Sequence, residues 1–126
     1  MDIIGTGVDA TEIARIAATI ERYGERFVDR IFTEGEIAYC RRKHDFASSF
    51  AARFAAKEAA MKALGTGHSQ GVFWKGIEVV RRHGPPELRF HDGAAVRFEK
   101  LGGTRSFLTL SHSRDLAIAH VILTRG

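Results

Sequence analysis

A single cysteine, two prolines and the lack of any long apolar run set the first limits on this 126-residue chain. One thiol, Cys40, excludes an internal disulfide and suits a reducing cytoplasm, where it is expected to sit half-buried on a helix. No apolar stretch approaches the ~20 residues that span a bilayer. The opening Met1-Asp2-Ile3-Ile4 lacks a basic n-region, so no secretory signal is expected. Linkers, repeats and low-complexity stretches are also missing, which predicts one domain over residues 1–126. The histidines lack zinc-ligand spacing, and no glycines flank Ser111 or Ser113 as a nucleophile elbow requires.

What remains is ordinary globular composition, 44% hydrophobic and 27% charged, with a net charge of +4. Most of the basic residues are arginines, whose planar fork suits phosphate and carboxylate. The excess points to an anionic partner: nucleic acid, a phosphorylated metabolite or an acidic protein.

Patterning predicts an α+β fold, with helices packed on a small, largely antiparallel sheet. Ile3–Val8 reads as a glycine-rich strand ending at Asp9, and a helix begins at Thr11 with Ile13, Ile16, Ala17 and Ile20 on one face. Thr33 and Glu36 have capping-box spacing for a second helix. Asp45 is placed to cap a long third helix that runs to Leu64 and stops at Gly65-Thr66-Gly67. Later come strands at 77–80 and 88–90, a helix over 93–101, and strands at 107–110 and 116–122.

Chemistry-bearing residues concentrate on the long helix. Ala52, Ala56, Ala60 and Ala63 form a smooth side, while Phe50, Phe54, Glu58, Met61 and Lys62 lie opposite. Glu58 either pairs with Lys62 across one turn or binds a hard cation while Lys62 faces a phosphate. Asp9 is either an N-cap for the first helix or a ligand where glycines admit close approach. Gly65-Thr66-Gly67 suits a helix stop or an anion, and Ser111-His112-Ser113 suits turn chemistry or phosphate oxygens. Arg15, Arg22 and Arg26 share one line if the first helix continues past Gly24, forming a docking stripe or a solvated face. Arg41-Arg42-Lys43-His44 is a second basic cluster.

Four segments carry a family resemblance: Gly7–Ile16, Arg53–Ala59, Lys62–Gly67 and Leu110–Ser113. In that order and spacing the chain resembles the bacterial holo-[acyl-carrier-protein] synthases, the small phosphopantetheinyl transferases, over essentially its whole length. It departs from their pattern at Ala10, Gly76, Pro85 and Leu116, none of them an expected ligand. The resemblance implies transfer of the phosphopantetheine arm of coenzyme A to a serine of apo-acyl carrier protein, in support of fatty acid biosynthesis. It implies that Asp9 and Glu58 bind magnesium and that Lys62 contacts phosphate, with Glu58 and Lys62 as the catalytic pair. Arg53, Gly65, Thr66, His112 and Ser113 would line the coenzyme site, and Arg15, Arg22, Arg26 and Phe27 would dock the carrier. A homotrimer is implied, with coenzyme between subunits and Arg41 and Arg42 reaching its 3′-phosphoadenosine. The general base stays open between Glu58 and a water near a carboxylate. Two rival readings are a nucleic-acid-binding module, which needs exposed stacking aromatics, and a carrier-binding subunit without activity.

Overall fold

Glycine in the first strand decides how closely the molecule can pack. The computed structural model describes residues 1–126, and its first strand, β1, spans Asp2–Glu12. A Cβ at Gly5 or Gly7 would run into the carbonyl oxygens of Ala63 or Ala59. The strand backbone therefore lies directly on the long helix, on the alanine side that its sequence predicts.

Helices α1 (Ile13–Tyr23), α2 (Glu25–Ile31), α3 (Glu34–Arg41) and α4 (Phe46–Leu64) follow β1. A short 3₁₀ turn at Trp74–Gly76 then leads into β2 (Ile77–Val80) and β3 (Glu87–Phe90). The chain closes with α5 (Asp92–Lys100), β4 (Arg105–His112) and β5 (Leu116–Arg125). All pairings are antiparallel, in a three-stranded sheet ordered β1-β5-β4 and a two-stranded β2-β3 ribbon.

Helix ends follow local chemistry. Both reciprocal bonds of the α3 capping box form, the Glu36 N–H donating to Thr33 Oγ1 at 3.2 Å and the Thr33 N–H to Glu36 Oε1 at 2.9 Å. The Asp45 carboxylate accepts the Ser48 N–H at 3.2 Å and so caps α4. Gly65, with φ of 77°, ends α4 in the left-handed conformation.

Three expectations change. β1 runs on through Asp9 to Glu12 because β5 keeps pairing with it as far as Leu116. Asp9 is thus a strand residue and caps nothing; Glu12 occupies the N-cap of α1 without a side-chain bond. The first helix does not continue past Gly24, whose φ of 56° and ψ of −133° break it, so Arg26 belongs to α2 and the single stripe is split.

Helix α4 runs through the centre. Most of its residues are buried, from Ser48 to Leu64, and they join two hydrophobic clusters. One cluster packs the sheets and α5 against the C-terminal half of α4, and the other packs α1, α2 and α3 against the N-terminal half. No helix is long and apolar enough to cross a membrane.

Candidate active site

The close approach of β1 to α4 brings Asp9 to the flank where α4 presents Glu58 and Lys62. Lys62 Nζ donates to the Val8 carbonyl at 2.8 Å and to Asp9 Oδ1 at 3.2 Å. Thr11 Oγ1 donates to the other Asp9 oxygen at 2.8 Å. Lys62 is thus drawn across to β1 and makes no pair with Glu58. Glu58 instead has His68 Nε2 at 3.1 Å from its Oε2. Neither of the purely structural roles open to Asp9 and Glu58, N-cap and i,i+4 partner, is found.

Both carboxylates line one cavity of about 370 Å³, together with Arg15, Phe27 and Phe54. Phe27 also borders an adjoining cavity of about 300 Å³ with Tyr23, Arg26 and Arg30. Of the docking residues expected from sequence, Arg15 and Phe27 thus share the cavity of the carboxylates, Arg26 borders only the adjoining one, and Arg22, its guanidinium over the Tyr23 ring at 5.3 Å, lines neither. Two carboxylates with no thiolate are a donor set for a hard divalent cation, and magnesium commonly takes one or two such ligands beside water and substrate phosphates.

A separate cavity of about 290 Å³ lies at the other end of α4, lined by Tyr39, Lys43, His44, Arg53, Arg81 and His112 among others. Arg53 is 5% exposed, and its guanidinium sits 4.2 Å from the Tyr39 ring centroid. Its Nη1 donates to the Ser49 carbonyl at 3.3 Å, while its Nε is buried with no acceptor. A buried donor left unmatched beside a cavity is costly unless a ligand supplies the acceptor. Burial alone would raise the Tyr39 phenol, but Lys43 at its hydroxyl and the charges of Arg53 and Arg81 hold it below its ordinary value. The cavity is electropositive.

The remaining expected residues divide between these ends. Gly65 and Thr66 close α4 near Lys62, and the Thr66 hydroxyl donates to the Gly67 carbonyl at 3.0 Å. At about 1.5 Å per residue, Arg53 and Gly65 are roughly 18 Å apart along the helix. Ser113 makes turn bonds, its N–H to the Leu116 carbonyl at 2.9 Å and its Oγ accepting from the Leu116 N–H at 3.3 Å. Arg41 pairs with Glu25 on the surface, and Arg42 borders a further cavity with Arg81, Arg82 and Arg89. Within the basic cluster it is thus Lys43 and His44 that reach the Arg53 cavity. Arg81, Tyr39 and His68 were not singled out by sequence, since each reaches its site from a separate element. Burial pushes the Cys40 thiol up to about 11, which removes it from thiolate chemistry.

Known proteins share this fold. A profile of the 4′-phosphopantetheinyl transferase superfamily matches residues 5–120. A holo-[acyl-carrier-protein] synthase of Koribacter versatilis is 52% identical over 122 residues, covering 96% of this chain and 98% of its own. The crystal structure of the Neisseria meningitidis synthase superposes with a TM-score of 0.90 at 30% identity, covering 98% of this chain and all of that one. The Helicobacter pylori synthase, solved with coenzyme A, gives 0.83 at 28% identity over 94% of this chain and 99% of that one. With the family profile, the near full-length identity and the shared fold in agreement, the chain belongs to the 4′-phosphopantetheinyl transferase superfamily, among the holo-[acyl-carrier-protein] synthases.

Proposed function

We propose that the chain transfers the 4′-phosphopantetheine arm of coenzyme A to a serine of apo-acyl carrier protein. The reaction is magnesium-dependent, releases adenosine 3′,5′-bisphosphate and serves fatty acid biosynthesis in the cytoplasm. The observation that carries this reading is the opening of Asp9 and Glu58 onto one cavity whose wall holds Arg15 and Phe27. The two expected cation ligands, a third carboxylate (Glu12) and one arginine of the expected docking set thus share one space.

Asp9 and Glu58 would hold the ion. When bound, magnesium supplies charge neutralisation at the pyrophosphate of the coenzyme. Lys62, freed from its contact with Val8 and Asp9, stabilises the departing phosphate. Arg15, Arg26 and Phe27, with Arg22 beyond them, hold the acidic face of the carrier so that its serine hydroxyl meets the phosphorus bearing the pantetheine arm. The serine oxygen forms a bond to that phosphorus as the bond to the bisphosphate breaks. Positioning and electrostatics do most of the work in such transfers. Arg53 and His112, which line the cavity at the other end of α4, bind anionic groups at the far end of the coenzyme.

A trimer accommodates the separation between the Lys62–Thr66 end of α4 and the Arg53 cavity. One coenzyme can touch both if two chains each contribute one end. The outer face of the three-stranded sheet exposes Val8, Phe107 and Ile118, an apolar surface through which copies would join. Co-expressing Asp9→Asn with Arg53→Ala is then expected to restore transfer that neither variant performs alone. No recovery would assign both ends to one chain.

The test of the activity is the intact mass of an apo-acyl carrier protein incubated with this chain, coenzyme A and magnesium. A gain of one phosphopantetheine, abolished by excess chelator, is the expected result. No gain on several unrelated carriers would leave a binding protein as the better reading.

A further inference from the structure

His68 stands against Glu58 although ten residues separate them, because the end of α4 folds back on itself. The Met61 carbonyl accepts the N–H groups of Gly65, Thr66 and Gly67 at 3.1, 3.3 and 3.4 Å. This turns the chain along the last turns of the helix, and the Ser69 hydroxyl fastens the reversal by donating to the Thr66 carbonyl at 2.6 Å. The imidazole then packs on Trp74, with ring centroids 4.4 Å apart and planes inclined by 59°. Trp74 is itself fixed: its ring stacks on Phe54 at 6.5 Å, and its carbonyl accepts Lys57 Nζ at 3.0 Å. Lys57 precedes Glu58 on α4, so a closed circuit of contacts runs from Glu58 through His68, Trp74 and Lys57 back to the helix.

We infer that His68 is a positioning residue for Glu58: packed between the Trp74 ring and the carboxylate, with Nε2 3.1 Å from one carboxylate oxygen in an ion-pair contact that is not aligned as a hydrogen bond, it limits how the carboxylate can turn. The inference rests on the reading that Asp9 and Glu58 hold a divalent cation. A free glutamate side chain must surrender several rotamers to bind a metal, and a partner that orders it beforehand removes that cost from the binding step. Outer groups that orient a ligand typically change metal affinity by about 10–100-fold when lost. Trp74 is the only tryptophan, so its emission reports on the ring stacked against it.

The probe is Mn²⁺ added to the coenzyme-free protein, with free Mn²⁺ followed by electron paramagnetic resonance and Trp74 emission recorded in parallel. The parent protein is expected to bind with a saturable change in emission. His68→Leu keeps an apolar side chain against Trp74 but has no ring nitrogen to pair with the carboxylate, and it is expected to bind about tenfold more weakly with the emission change lost. His68→Gln restores a polar nitrogen beside the carboxylate and recovers most of the affinity. In turnover His68→Leu lowers kcat while KM for coenzyme A stays near that of the parent. If His68→Leu binds Mn²⁺ as tightly as the parent, or more tightly, while Glu58→Gln abolishes binding, the role of His68 is overturned and the carboxylate site stands. If Glu58→Gln binds like the parent, or the parent does not bind, the site itself falls and the inference with it.

Discussion

Lys57 and Lys62 lie on one helix, and their surroundings could hardly differ more. The Lys57 side chain is wholly buried and donates to Glu36 Oε1, the Trp74 carbonyl and the Ile77 carbonyl at 2.8, 3.0 and 2.6 Å. Glu36 is equally buried, and its second oxygen accepts the Val79 N–H at 2.8 Å. Each polar atom in that centre has its partner, and the whole ties α3 and β2 to α4. The Lys62 side chain is 56% exposed and holds a carboxylate that opens onto a cavity. A closed ionic centre fastens the fold, whereas an open one retains charge for a ligand. Burial of Lys57 lowers its pKa, against which Glu36 pulls upward, so the closed pair is held together by mutual need rather than by large net gain.

The difference can be broken by substitution at either centre. Lys57→Met strands the Glu36 carboxylate and should destabilise the fold by about 3–5 kcal/mol in chemical denaturation. Adding Glu36→Gln should recover part of that loss. Unchanged stability with abolished transfer would erase the distinction between the centres. Lys62→Met should show the reverse, with kcat/KM down by roughly 100-fold and stability altered by at most about 1 kcal/mol. Asp45→Ala removes the α4 cap and should cost about 1 kcal/mol at neutral pH. The Ser48 hydroxyl and then its N–H hold the Asp45 carboxyl below its ordinary value. That contribution is therefore present above the ordinary carboxylate range and lost as pH falls through the lowered value, so parent and variant should converge in strong acid. Arg41→Ala breaks only the exposed pair with Glu25, and a loss of about 0.2–1 kcal/mol that salt removes is expected.

Much of this was legible because it is local. The capping box at Thr33, the Asp45 cap, the left-handed stop at Gly65 and all five strands follow from residues within a few positions of one another. The glycines of β1 promise room for a ligand and the alanine side of α4 room for another element, and only the fold shows that the two lie on each other. The break at Gly24 was not legible, since an isolated glycine within a periodic pattern permits either continuation or a positive φ. The role of Lys57 was hidden for a different reason. Its acceptors come from α3, the Trp74 turn and β2, and only the folded chain gathers them. His68 escaped for the same reason, lying beyond a turn whose reversal depends on one carbonyl. Sequence grouped Arg53 and His112 with Lys62, Gly65 and Thr66, and the geometry of α4 separates them into two ends.

The most direct test is the rate at which the Glu58→Gln protein modifies an apo-acyl carrier protein at saturating coenzyme A and magnesium, with its unfolding midpoint measured alongside. An open ionic centre predicts a parent-like midpoint and a rate lower by about 100- to 1,000-fold, the scale of a lost transition-state electrostatic contact. Transfer near the parent rate by a folded Glu58→Gln protein would contradict it and move the reaction centre away from the Asp9 cavity.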